Sequence, residues 1–124
     1  MRLVLDTHTL IWAAIGDDKL SSAAAQLIDD EANTLYFSAA SIWELTIKGA
    51  ERTGVIPAVL RKVLLDAGYL VLPITSDHVV TVCNLPNHHR DPFDRIMVAQ
   101  AVAEGISLVT HDSTLHAYPQ TIIV

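Results

Sequence analysis

A single cysteine, Cys83, excludes an internal disulfide, and its setting in "VVTVCNL" reads as a small core side chain rather than a nucleophile. Nor does any apolar run reach the ~18 residues that a membrane span requires. The N-terminal "MRLVLDTH" pairs one basic residue with an apolar run, but Asp6 breaks that run too early for a signal peptide. A soluble protein that stays in the cytoplasm is therefore expected, with no membrane partner. Repeats, low-complexity tracts and shifts of composition are missing too, so residues 1–124 are expected to form one domain. Basic residues are scarce: eight Lys and Arg stand against fourteen Asp and Glu, a formal net charge of −6. On its face this argues against a nucleic-acid partner, because phosphates normally meet a basic surface. The argument fails if several acids converge on divalent cations, since the metal then brings the positive charge to the phosphate.

What the chain has in abundance is apolar sequence, 51% of its residues. In so short a chain this implies either a very dry core or apolar surface covered by a partner. The apolar segments alternate in type. Residues 2–5, "RLVL", have strand length, and residues 21–33, "SSAAAQLIDDEAN", open with serine caps and continue with helix formers. A buried strand is expected at 35–38, "LYFS", and then a helix at 41–49, "SIWELTIKG", closed by glycine. In "PAVLRKVLLDAG" (57–68), proline stands at the first turn and glycine follows the end, the usual asymmetry of helix termini. The strand "YLVLP", a helix from about Ser76 to Asn84, another running to Gly105, and strands at 107–110 and 121–124 complete the pattern. Short apolar strands alternating with helices imply a parallel sheet covered on both faces: a three-layer α/β/α sandwich.

In such folds ligands bind beyond the carboxyl ends of the strands, where strand order reverses. Asp6 directly follows "RLVL", and His111 and Asp112 follow "SLVT". Were these strands neighbours, the two carboxylates would converge; taken singly, each is explained as a helix cap. Glu44 allows several readings. With Ser41 it fits the S-x-x-E capping box, it stands one turn before Lys48, and its apolar neighbours Ile42, Trp43, Leu45 and Ile47 suggest a buried carboxylate in need of a partner, either Lys48 or a metal ion. In "HHRDPFDRIMVAQA", Asp91 precedes Pro92 and reads as an N-cap, four residues before a pairing partner in Arg95. Asp94 has less local reason to be charged, because it projects from the first turn of a helix apolar on nearly every side. The expectation is that Asp91 is the cap and Asp94 the site residue.

Four segments in this order, "LVLDTHTLIW", "FSAASIWELTIK", "HHRDPFDRIMVAQA" and "LVTHDSTLHAYP", give the whole chain a resemblance to PIN-domain ribonucleases of the VapC type, the toxins of bacterial and archaeal toxin–antitoxin pairs. The resemblance implies a catalytic, metal-binding set of Asp6, Glu44, Asp94 and Asp112 holding Mg²⁺ or Mn²⁺ and hydrolysing RNA. It further implies a homodimer and a small antitoxin whose C-terminal segment lies across the apolar helices of the first half and blocks the site. Family members often carry another acidic or hydroxyl group shortly after the last aspartate; here Ser113 and Thr114 offer the only side-chain oxygens. Hard oxygen donors suit Mg²⁺ or Mn²⁺ better than Zn²⁺, so His8, His88, His89 and His111 are read as loop residues that touch RNA, with Arg90 or Arg95 steering phosphate.

Rival functions fit less well. A receiver-like phosphoacceptor would need paired acids after the first strand and an aspartate directly after "YLVLP", and both are missing. A phosphatase with an aspartyl nucleophile would need a second aspartate two positions after Asp6, where His8 stands. An inactive binding module of the same fold has no reason to keep all four acids.

Overall fold

The computed structural model describes residues 1–124. Its centre is a five-stranded, wholly parallel sheet built from β1 (Arg2–Leu5), β2 (Thr34–Ser38), β3 (Leu70–Leu72), β4 (Ser107–Thr110) and β5 (Thr121–Ile123), in the order β3-β2-β1-β4-β5. The chain winds outward from β1 to β2 and β3, then returns to lay β4 on the other side of β1. Strand order therefore reverses between β1 and β4, the position at which such sheets bind ligands.

The alternation of side chains along the central strand generates two cores. Leu3 and Leu5 face one side with Leu10, Phe37, Leu45, Leu60 and Leu64. Val4 faces the other with Met97, Val98, Ala101, Leu108 and Tyr118. Leu3, Val4 and Leu5 are all fully buried, as expected of a parallel strand with helices over both faces. The three-layer α/β/α expectation is met.

Helices α1 (Thr7–Ile15), α2 (Ser22–Asp29), α3 (Ala39–Lys48), α4 (Ala50–Thr53), α5 (Pro57–Asp66), α6 (Ser76–Asn84) and α7 (Pro92–Glu104) lie between the strands, with a 3-10 turn at Ser113–Ala117. The sequence pattern does not separate α1, α4 or the 3-10 turn from their surroundings. Pro57 does stand at the first turn of α5, and α7 ends at Gly105, whose φ of 65° is the left-handed conformation that glycine adopts without strain.

Cys83 corrects the sequence reading: it is exposed. The inward positions of α6 are His78, Thr81 and Val82, at helical spacing, and Cys83 falls on the solvent side with Val79 and Val80. The residues around Cys83 are apolar on both faces of the helix, so composition alone could not orient it.

Helix α7 has a fully enclosed middle, with Met97 through Ala101 all buried. Gln100 holds it in place: Ser38 Oγ donates to Gln100 Oε1 at 2.6 Å, and Gln100 Nε2 donates toward the Pro73 and Leu72 carbonyls at 3.3 and 3.5 Å. Ser38 is also the N-cap of α3, accepting from the Ala40 amide. One buried amide thus ties α7 to the ends of β2 and β3 and to the start of α3. Replacing Gln100 with Leu should remove the partners of those polar groups and destabilise the fold by about 1–3 kcal/mol in denaturant titration, the usual penalty for buried groups left unpaired. A change below about 0.5 kcal/mol, the low end for a single hydrogen bond, would show that the network holds nothing together.

Candidate active site

At the carboxyl end of the sheet, between β1 and β4, lies a cleft of about 180 Å³ lined by ten residues, none of them apolar. Five carboxylates line it: Asp6, Glu44, Asp91, Asp94 and Asp112. The structure therefore brings together all four sequence-predicted site acids, each from a different element. Asp6 follows β1, Glu44 lies inside α3, Asp94 sits in the first turn of α7, and Asp112 follows β4. The pairing of β1 with β4, the condition on which the sequence reading made their convergence depend, is what draws Asp6 and Asp112 to one end.

Two of the acids combine a cap with a place in the cleft, using a separate oxygen for each. Asp6 Oδ1 accepts from the Thr9 amide at the start of α1 (2.9 Å), while Oδ2 accepts from Thr110 Oγ1 (2.5 Å) and lies 3.3 Å from His111 Nδ1. Asp112 Oδ1 accepts from the Thr114 amide and hydroxyl, and Oδ2 lies 3.1 Å from His89 Nε2. Capping and site roles thus do not compete at these positions.

Glu44 departs from the capping-box expectation. Helix α3 begins earlier than expected, capped by Ser38, so Ser41 and Glu44 are both interior helical residues. Ser41 Oγ instead lies 2.9 Å from Thr7 Oγ1, which is 2.8 Å from Glu44 Oε1. Glu44 Oε2 pairs with Lys48 one turn on, one of the partners considered from sequence. The surroundings are less apolar than expected, because Trp43 and Ile47 point to solvent. Only Ala40, Ser41, Glu44 and Leu45 of α3 are buried.

Asp91 is the N-cap of α7, its Oδ1 accepting from the Phe93 amide at 2.8 Å and from the Asp94 amide at 3.4 Å. Its expected pairing with Arg95 does not form. The Arg95 guanidinium turns toward the Val82, Pro86 and His89 carbonyls and the Tyr118 hydroxyl. Neither Arg95 nor Arg90 lines the cleft, so neither is placed to steer phosphate there.

Asp94 stands apart because its carboxylate makes no hydrogen bond; the His89 ring nitrogen Nε2 lies 3.7 Å from its Oδ2. Burial, reinforced by Asp91 and, more weakly, by Asp6 and Glu44, and only partly offset by His89, raises its pKa to about 7. Asp6 behaves in the opposite way. Burial opposes its ionisation, but the bonds from His111, Thr110 and Thr9 outweigh burial and hold its pKa below the usual value. At Asp112 the bonds from Thr114 and His89 likewise overcome desolvation and lower it. His111 is raised in return, first by its hydrogen bond to Asp6.

The donor set suits a divalent cation. Several carboxylate oxygens converge in a small polar volume, and one half-buried carboxylate, Asp94, accepts no hydrogen bond and has its charge only partly offset by His89. Ligand atoms of His89, Asp94 and Asp112, one from each, also lie within 4.8 Å of one another. His89 and His111, read from sequence as loop residues facing RNA, are instead bonded to cleft acids. Thr7 and Thr110, to which the sequence reading assigns no role, supply the hydroxyls that orient Glu44 and Asp6. Their places were the available signal: Thr7 directly follows Asp6, and Thr110 closes β4 just before His111 and Asp112.

A family model described as PIN domain matches residues 3–120. Ribonuclease VapC22 of Mycobacterium tuberculosis is 32% identical over 127 residues, spanning 98% of this chain and 97% of the relative. Among solved structures, the fold is similar to that in VapBC2 from Rickettsia felis bound to a promoter DNA fragment (TM-score 0.70, 17% identity, 100% of this chain and 98% of the other). It is also similar to that in VapBC-1 from nontypeable Haemophilus influenzae (TM-score 0.67, 21% identity, 99% and 98%).

The isolation of Asp94 has a measurable consequence. Its carboxyl is harder to ionise in the folded chain, at about 7, than at its ordinary 3.8, so ionisation opposes folding increasingly as pH rises from about 4 to 7. Asp94→Asn should therefore raise the thermal unfolding temperature in chelator at about pH 8, with the gain shrinking to nothing near pH 4. An equal gain at both pH values would mean that the substitution acts through packing and not through charge.

Proposed function

The chain belongs to the PIN domain family, and from that membership we propose that it is a metal-dependent endoribonuclease, the toxin of a toxin–antitoxin pair, acting on RNA in the cytoplasm. The observation that carries this reading is the uncompensated Asp94 carboxylate in a cleft lined by four other acids. Asp6, Glu44, Asp94 and Asp112 are the residues proposed to hold Mg²⁺ or Mn²⁺. When bound, such a cation supplies positive charge at the scissile phosphate and makes a nearby water more acidic.

The chain's own residues have distinct tasks. Thr110 and His111 fix the Asp6 oxygen that faces the cleft, and Thr7 fixes one oxygen of Glu44. Lys48 balances the other oxygen of Glu44. His89 Nε2 meets the outer oxygen of Asp112 at 3.1 Å. Asp91 fixes the start of α7 and so the direction in which Asp94 points. The reaction itself is hydrolysis: water attacks phosphorus, the bond to the leaving ribose oxygen breaks, and that oxygen takes up a proton.

The partner in this reading is a small antitoxin. It is supported by a groove between α1 and α5 lined almost wholly by apolar side chains, among them Ile15, Ile56, Val59 and Val63. Ile15 and Ile56 are largely exposed, an unusual cost for a lone domain and suited to an apolar peptide segment. A homodimer is part of the same proposal, and the exposed Trp43 and Ile47 on α3 favour it. No helix is long and apolar enough to cross a membrane.

Cleavage of RNA should require Mg²⁺ or Mn²⁺ and cease in EDTA. Asp94→Asn should lower the rate at saturating Mg²⁺ by ~100-fold or more, equivalent to about 2.7 kcal/mol of transition-state stabilisation. Asp91→Asn keeps the cap and should retain most of the activity, because asparagine caps about as well as aspartate. Cleavage that persists in chelator would overturn the mechanism, and a dead Asp91→Asn beside a live Asp94→Asn would exchange their roles.

A further inference from the structure

Beside the acidic cleft runs a second groove of about 420 Å³, between α1 on one side and α3 with α4 on the other. It is continuous with the cleft, since Thr7, His8, Glu44 and Lys48 line both. We propose that single-stranded RNA leaves the cleft along this groove, with Trp12 and His8 stacking against the base next to the scissile phosphate and Lys19 and Arg52 holding the phosphates beyond. The inference rests on the ribonuclease reading and adds the direction of the strand and the residues that hold it.

Charge is the first argument. The chain has eight Lys and Arg in all, and three of them, Lys19, Lys48 and Arg52, line this groove. Lys48 is engaged by Glu44, but Lys19 and Arg52 are exposed at the surface. Unlike Lys62, which pairs with Asp66, or Arg2 and Arg95, which donate to carbonyls, neither side chain makes an ion pair or hydrogen bond within the protein. Asp17, the remaining acid of the groove besides Glu44, is turned to the Lys19 amide, which its Oδ1 accepts at 2.9 Å. The sign of charge thus changes from negative in the cleft to positive in the groove, along the path that a strand leaving the cleft would follow.

The second argument is aromatic. His8 and Trp12 stand one turn apart on α1, with ring centroids 5.8 Å apart. His111, bonded to Asp6, presses edge-on to both, at 5.3 Å from His8 and 4.7 Å from Trp12. The indole is therefore held by the same histidine that fixes a cleft acid, and it remains partly exposed on the groove wall. Such a ring offers a base a stacking face worth about 1–3 kcal/mol with no demand on sequence. By contrast, the α1–α5 groove is nearly devoid of polar lining and suits a protein segment, not a polyanion.

The test uses the Asp94→Asn chain and a 5′-labelled single-stranded RNA of about 12 nucleotides, within the span such grooves cover, in Mg²⁺ and read by fluorescence anisotropy. Adding Lys19→Ala with Arg52→Ala should weaken binding ~10-fold or more and reduce the slope of log Kd against log salt by about 0.7 for each phosphate no longer neutralised. Arg61→Ala with Lys62→Ala, on α5, should change neither. In a Trp43→Phe background, RNA should quench the fluorescence of Trp12, and an abasic strand of equal length should not. Equal affinity and equal salt slope for the two double variants, or no effect on Trp12, would overturn the proposal and leave the ribonuclease reading standing. So would unchanged RNA binding in a Lys19→Ala, Arg52→Ala chain that no longer binds the antitoxin, because the groove would then belong to the protein partner. If the RNA does not bind the Asp94→Asn chain at all, the ribonuclease reading fails and this inference with it.

Discussion

Carboxylates repel one another, and taking any of them out of water is costly unless something compensates. Five share one cleft here, and the surrounding structure is organised around that constraint. Asp6 and Asp112 each use one oxygen to cap a helix or turn and the other to meet a histidine. Glu44 divides its oxygens between a threonine and a lysine, and Asp91 caps α7. Four of the five are therefore compensated from within the chain. Asp94 is not, and the protein tolerates it only by holding its carboxyl near neutrality in the pH range where other aspartates are fully ionised.

The fold explains why Asp94 cannot escape this position. It projects from the first turn of a helix whose middle is enclosed on all sides, and α7 is anchored through Gln100 to the β2 and β3 ends. Rotating the helix to release the carboxylate would drag Met97 and Val98 out of the core. The reversal of strand order supplies the other half of the arrangement, since it places Asp6 and Asp112 side by side at the ends of neighbouring strands. A stable core is thus used to maintain an unfavourable charge distribution. Local unfavourable energy of this kind is a mark of functional sites.

Much of this was legible in the sequence because the signals were periodic or terminal. Short apolar strands between helices gave the layers, and the residue after each strand pointed to Asp6 and Asp112. Asp-Pro marked Asp91 as the cap of α7, and the poor local excuse for Asp94 marked it as the odd carboxylate. What escaped were interactions between residues far apart in the chain. Thr7 and Glu44 are 37 positions apart, and Thr110 and Asp6 are 104 apart, so no local pattern could pair them. The Ser41–Glu44 capping box failed for a different reason. Ser38, earlier in the chain, offered an equally good cap at the end of β2, and the strand's position decided between them. Arg95 was misassigned because several backbone carbonyls and a phenolic oxygen in the tertiary structure outcompete one half-buried carboxylate.

The excess of acids over bases, which at first argues against a nucleic-acid partner, is consistent with one once five of the acids are concentrated in a single cleft whose donors suit a cation. Calorimetric titration of the metal-free protein with Mn²⁺ tests this most directly, performed at about pH 6 and about pH 8 in buffers of different ionisation enthalpy to count the protons released. A carboxyl with a pKa of about 7 is mostly protonated at the lower pH and mostly ionised at the higher. Asp94 should therefore contribute close to one released proton at about pH 6 and roughly a tenth of that at about pH 8, and Asp94→Asn should lower the release at about pH 6 by that amount while leaving the release at about pH 8 nearly unchanged. Binding with the same small proton release at both pH values, or no binding, would contradict the claim that Asp94 is held ready for a cation.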